Sequence, residues 1–172
     1  IKQKLVLTAN GETPSIRAFM DEHDLGRDVL CLHNLSEAEL AACYSLADLA
    51  VCPSLSEGGM PFTYTEAVSV GTPVVMGDIA VTREIIVDPE LREATLFDPY
   101  DWRAMADKIE WALQNREELY ARQRRFYDEV LAKRTCGDVV NEHIAIMDRI
   151  AERERIGAEG GAKPRHLRVR SS

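Results

Sequence analysis

No stretch of the 172 residues reaches the roughly 18 to 20 uncharged apolar positions that cross a bilayer, and the start, Ile1-Lys2-Gln3-Lys4, is charged too soon for a signal peptide. A soluble, cytoplasmic chain is the expectation. Cysteine is sparse and scattered: Cys31, Cys43, Cys52 and Cys136 make no Cys-x-x-Cys pair, which argues against a structural zinc site or a disulfide framework and leaves buried, reduced thiols. His23, His33, His143 and His166 have no metal-ligand spacing either, so no metal and no cofactor is expected. Basic residues are scarce in the first hundred positions, 6 Lys/Arg against 16 Asp/Glu, whereas residues 101–172 hold 15 against 13. That balance disfavours nucleic acid as a partner. It also requires that any bound phosphate be neutralised by backbone dipoles or by basic groups from outside this chain. There is no internal repeat.

A chain that is 45% hydrophobic and 29% charged has the composition of a globular domain able to bury its own core. Five short apolar runs stand out: Lys4–Ala9, Val29–Leu32, Leu49–Cys52, Pro73–Met76 and Ala94–Phe97. They lack polar alternation and are spaced by about one crossover helix, the pattern of parallel strands buried on both faces. The fold class read from this is α/β, a Rossmann-like parallel sheet with helices on both faces.

Ser36 with Glu39 three residues on makes a capping box for a helix over 37–47, with Leu40, Cys43, Tyr44 and Ala47 at helical spacing. Asp101 reads as the N-cap of a helix with an apolar stripe of Trp102, Met105, Ala106, Ile109 and Leu113. Two peripheral helices follow, around 116–133 and 138–155, the second carrying Val140, Ile144, Met147 and Ala151 on one side. The domain spans 1–156. From Gly157 the sequence turns Gly-rich and basic, with Lys163, Arg165, Arg168 and Arg170. This tail over 157–172 suits either a flexible, dispensable terminus, the preferred reading, or a peripheral contact with an anionic membrane surface or a partner.

Chemistry concentrates in Pro53–Ala67, between one buried run and the Gly71-Thr72-Pro73 turn that leads to the next. In open parallel sheets ligands sit outside the carboxyl ends of strands, which is where this loop must lie. Gly58 and Gly59 let a ligand approach the main chain, and Pro61 suits the first position of a helix whose free amides face outward. Such amides, with the helix dipole, bind phosphate without a basic side chain. Glu57 and Glu66 offer paired oxygens for the vicinal hydroxyls of a sugar or ribose. The plainer reading is an exposed loop acid, an ordinary helix acid and a turn.

The whole string Pro53–Val75 nevertheless resembles the donor-site signature of the family 4 retaining glycosyltransferases of the GT-B fold. Leu35–Leu40 and Tyr44–Val51 are similar to the preceding family segment and Leu96–Asp101 to the following one, so the resemblance covers about residues 4–113. It implies the C-terminal, donor-binding half of a two-domain enzyme, with the N-terminal GT-B domain, a nucleotide-diphosphate sugar and an unseen acceptor as partners. By position, Glu57 would contact the donor sugar and act as the catalytic carboxylate. Gly58, Gly59, Met60 and Pro61 would line sugar and diphosphate. Thr63, Tyr64 and Thr65 would present amides or hydroxyls to the diphosphate, Glu66 would hold the ribose, and Asn34 and Leu35 would meet the base. Two departures stand: Glu57 and Glu66 enclose eight residues where the family has seven, and the family's upstream Arg and Lys have no counterpart here. A nucleotide-sugar epimerase of the same architecture and a non-catalytic nucleotide- or partner-binding module remain alternatives.

The family's domain also begins with one strand and helix ahead of Leu5, and that first strand is central. Residues 4–9 and 49–53 are therefore expected to lie on either side of a missing strand and not to pair with each other.

Overall fold

The computed structural model describes residues 4–159. The chain divides into two compact units, the first ending at Arg125 and the second starting at Phe126.

The first unit alternates strand and helix. It runs β1 (Leu5–Leu7), α1 (Pro14–Glu22), β2 (Val29–Cys31), α2 (Glu37–Leu46), β3 (Ala50–Cys52) and α3 (Phe62–Ser69). Then follow β4 (Val74–Gly77), α4 (Ala80–Ile85), α5 (Pro89–Thr95), β5 (Leu96–Phe97), α6 (Trp102–Gln114) and α7 (Arg116–Phe126). Every apolar run named from sequence coincides with a strand; four of the strands are shorter than their runs, and β4 is shifted one residue on, to Gly77. All ladders are parallel, in two sheets: β1 pairs with β2, and β4 lies between β3 and β5. As expected, β1 and β3 are not hydrogen-bonded to each other.

The three-stranded sheet carries the core. Val75 and Phe97 pack with Ala94, Ala112 and Leu119, flanked by Met105 and Ile109. Val74 and Met76 point to the opposite face and are equally buried, so this sheet is covered on both sides. The two-stranded sheet differs from expectation. Leu5, Val6 and Leu30 are exposed at 49%, 45% and 56%, on both faces of the pair, since Leu5 and Val6 point in opposite directions.

Local signals explain most boundaries. The Ser36 hydroxyl accepts from the Glu39 amide while the Glu39 carboxylate accepts from the Ser36 amide at 2.8 Å, so α2 opens on the capping box. Asp101 caps α6 by accepting from the Arg103 and Ala104 amides. The inward face of α6 is Met105, Ile109 and Ala112; Trp102 is exposed, with the Arg103 guanidinium 4.2 Å from its ring. Helix α3 ends in a Schellman turn, the Thr72 amide reaching the Ala67 carbonyl and the Gly71 amide the Val68 carbonyl. Gly71, at φ +102°, supplies the left-handed residue.

Gln123 was not singled out by any sequence pattern, yet it is fully buried. Its side-chain amide accepts from the Val74 N–H at 2.9 Å and donates to the Val74 carbonyl at 2.6 Å and to Thr95 Oγ1 at 3.1 Å. The Pro73 carbonyl faces β3, where the Ala50 amide donates to it, so Val74 faces β5. β5 pairs only from Met76 onward, and Gln123 completes the ladder in its place.

Beyond Arg125, α7 gives way to a π-helical stretch, Tyr127–Leu131, and then to α8 (Cys136–Glu159). The helix expected over 116–133 is thus broken, and α8 runs past the expected limit at 155 and through Gly157. Val140, Ile144 and Met147 are exposed. The remainder of the expected basic tail, 160–172, lies outside the described residues. All four cysteines are free thiols; Cys52 is buried, Cys31 and Cys43 are half-buried, and Cys136 is exposed at the start of α8, contrary to the expectation of burial. No described helix is long and apolar enough to cross a membrane.

Candidate functional site

Three loops meet at the carboxyl edge of the β3-β4-β5 sheet. A Cβ on Gly77, the last residue of β4, would stand 2.6 Å from the Ser54 carbonyl oxygen and 3.2 Å from Pro99, so the loops after β3 and β5 close on the end of β4. Only glycine fits there. Asp78 follows at once; its carboxylate is 3.5 Å from the Arg83 guanidinium, while its other oxygen, Oδ1, is buried without a partner. Arg83 is thereby engaged in an exposed ion pair.

The loop after β3 carries the sequence candidates. Glu57 is exposed and makes no hydrogen bond or ion pair with any described residue. A Cβ on Gly58 or Gly59 would meet no atom within 4 Å, and neither residue has positive φ. The fold itself does not demand glycine at these two positions. Met60 is half-buried and Pro61 buried. Pro61 occupies the N-cap position, one residue before the place expected for it, and offers no side-chain cap. The amides of Phe62 and Thr63, the first two of α3, have no acceptor among the described residues, while the Tyr64 amide donates to the Pro61 carbonyl at 3.0 Å. An eight-residue helix thus opens onto the loop with unsatisfied N–H groups and the positive end of its dipole.

Of the amide or hydroxyl expected from Tyr64, the hydroxyl is turned into the core. Its side chain is fully buried, its hydroxyl donates to the Gln123 carbonyl at 3.2 Å, and burial pushes its phenol well up. An aromatic ring two positions after the first free amide points into the core because α3 packs on the sheet with Tyr64, Ala67 and Val68 inward. Thr65 turns its hydroxyl back to the Phe62 carbonyl at 3.0 Å.

Glu66 is exposed on α3, and its Oε2 accepts a hydrogen bond of 3.2 Å from the Tyr44 hydroxyl, across from α2. Tyr44 is half-buried. Burial raises its pKa, the bond from Thr63 pulls the other way, and the Glu66 charge raises it further. Its main-chain carbonyl accepts from Thr72 Oγ1 at 2.5 Å, which ties the end of α2 to the turn after α3. Sequence reasoning saw Tyr44 in a helical apolar stripe and at the head of a family-like segment; nothing in the sequence marks a pairing across 22 positions.

Asn34 and Leu35 follow β2. Asn34 is exposed with φ +55°, a left-handed conformation that few residues other than glycine and asparagine adopt readily, and Leu35 is half-buried. No hydrogen bond or ion pair links either to the Pro53–Glu66 segment. His33 is exposed beside them. Tyr100, after β5, is exposed at 79% and Phe62, at the start of α3, at 80%. Among the described residues no three His, Cys, Asp or Glu side chains converge as a metal site would require.

No curated protein matches the chain. Among solved structures it is similar to a sucrose-phosphate synthase from Thermosynechococcus elongatus, with TM-score 0.60 and 24% identity over 87% of this chain. The match spans 35% of that protein, so the chain corresponds to about a third of it and shares the fold of that part. Residues 2–127, which take in all of the strands and the whole Pro53–Ala67 segment, match the family model of the group 1 glycosyl transferases. The chain belongs to that family.

Proposed function

We propose that the chain is the donor-binding part of a retaining glycosyltransferase that moves a sugar from a nucleotide diphosphate to an acceptor. The observation that carries this reading is the loop after β3. It joins an unpartnered carboxylate, Glu57, to two glycines that no protein contact or backbone angle requires, and it ends at the unsatisfied amides of Phe62 and Thr63. Open main chain leading into a helix N-terminus suits a diphosphate, and it supplies positive potential in a region with few Lys or Arg.

In this mechanism the amides stabilise negative charge that builds on the diphosphate as the sugar leaves, which is where preorganised donors act most strongly. Glu57 accepts hydroxyls of the transferred sugar and fixes its orientation. Glu66 accepts the ribose hydroxyls, and the loop after β2, with Asn34 and Leu35, borders the base. The acceptor binds to an N-terminal domain across a cleft, and further basic groups for the diphosphate come from outside this chain. No metal or cofactor takes part. The enzyme works in the cytoplasm, in contact at most with a membrane surface.

Kinetics test the reading. Glu57→Ala in the intact protein is expected to lower kcat/KM for transfer by at least about tenfold, while leaving the melting temperature unchanged, since an exposed side chain without partners adds little to stability. A screen of nucleotide sugars in which Glu57→Ala matches wild type would remove Glu57 from the site.

A further inference from the structure

Glu66 stands exposed on α3, and an exposed glutamate samples many rotamers. Here one of its oxygens is fixed. Tyr44 reaches across from α2 and donates to Oε2 at 3.2 Å, and no described group donates to Oε1. Tyr44 is itself held by Thr72 Oγ1, which donates to its main-chain carbonyl at 2.5 Å. The result is a chain of contacts, Thr72 to Tyr44 to Glu66, that locks α2, α3 and the turn after α3 around a single carboxylate.

We propose that Tyr44 is a positioning residue that holds Glu66 with one oxygen tied and the other turned outward, so that the carboxylate meets the two ribose hydroxyls of the nucleotide already oriented. This rests on the reading of Glu66 as the ribose acceptor. Three features fit the role. The half-buried phenol keeps its proton through neutral pH, because burial disfavours the phenolate, so it remains a donor to the carboxylate. A bond to a charged acceptor is stronger than a neutral one and holds geometry better. Fixing the side chain before the ligand arrives removes an ordering cost from binding.

The clean variant is Tyr44→Phe, which keeps the ring and leaves the bond from Thr72 in place, since that bond uses the main chain. Isothermal titration of the intact protein with UDP, GDP and ADP, each beside its 2′-deoxy form, provides the test. Wild type is expected to prefer the ribose form of whichever nucleotide binds. Tyr44→Phe should weaken the ribose form about tenfold, as loss of a bond to a charged group does, with a smaller effect on the deoxy form, so that the ribose preference collapses. The melting temperature should stay close to that of wild type. In a Glu66→Gln background the same substitution should add little, the signature of two residues acting as one unit.

Wild-type affinity and ribose preference in Tyr44→Phe, with both lost in Glu66→Gln, would overturn the positioning role and leave the reading of Glu66 standing. Equal losses for ribose and deoxy forms with a lowered melting temperature would make Tyr44 a packing residue and also overturn it. Wild-type behaviour of Glu66→Gln, or no binding of any of the three nucleotides by wild type, would refute the reading of Glu66 and this inference together.

Discussion

Gln123→Leu is the substitution that most directly tests how the sheet is held. The leucine has nearly the glutamine volume, so the cavity term is small and the loss is of hydrogen bonds. Val74 loses the partners of both its N–H and its C=O, at 2.9 and 2.6 Å, and Thr95 Oγ1 loses a donor at 3.1 Å. These groups lie where exposure is nil, so water does not readily replace the amide. Each buried main-chain group left unsatisfied costs about 1–3 kcal/mol, which puts the pair at roughly 2–6 kcal/mol. Burying the leucine side chain returns about 1.5–3 kcal/mol at most. A net destabilisation of about 2 kcal/mol, the middle of these ranges, is expected. With a urea dependence of about 1–3 kcal/mol per molar, the unfolding midpoint should fall by roughly 1–2 M in equilibrium denaturation followed by far-UV circular dichroism. A midpoint within about 0.3 M of wild type, at unchanged slope, would show that the Gln123 amide is no substitute for the missing stretch of β5.

Gly77→Ala should cost about 1–3 kcal/mol, because its Cβ would stand 2.6 Å from the Ser54 carbonyl oxygen and something in the backbone must shift; thermal unfolding at the wild-type temperature would refute the close approach. The Glu39 carboxyl is held below its ordinary value of 4.5, first by the Ser36 hydroxyl and then by the Ser36 amide. A depressed folded pKa means that this contribution is complete above pH 4.5 and is lost as pH falls through the lowered value. The stability gap between wild type and Ser36→Ala should therefore narrow on acidification below that point; a gap independent of pH in chemical denaturation would show that the cap does not depend on the Glu39 charge.

Sequence alone determined the parts of this protein whose causes are local. A capping box needs only Ser36 and Glu39 three residues apart, and an N-cap needs only Asp101 ahead of a helical stripe, so both were legible. The order of five strands and their crossovers followed from runs of apolar residues, and the candidate loop followed from its place after one of those runs and from its resemblance to a family. The tertiary structure decided whatever depends on which distant residues meet. It buried Tyr64, which sequence had placed against ligand, because the packing face of α3 is set by the sheet beneath it. It left Leu5, Val6 and Leu30 exposed, since burial depends on which elements cover a strand and not on the strand's own composition. It brought Gln123 to Val74 across 49 positions and Tyr44 to Glu66 across 22. Hydrogen bonds of that kind carry no periodicity and no local motif, because the geometry that makes them exists only after the helices have docked.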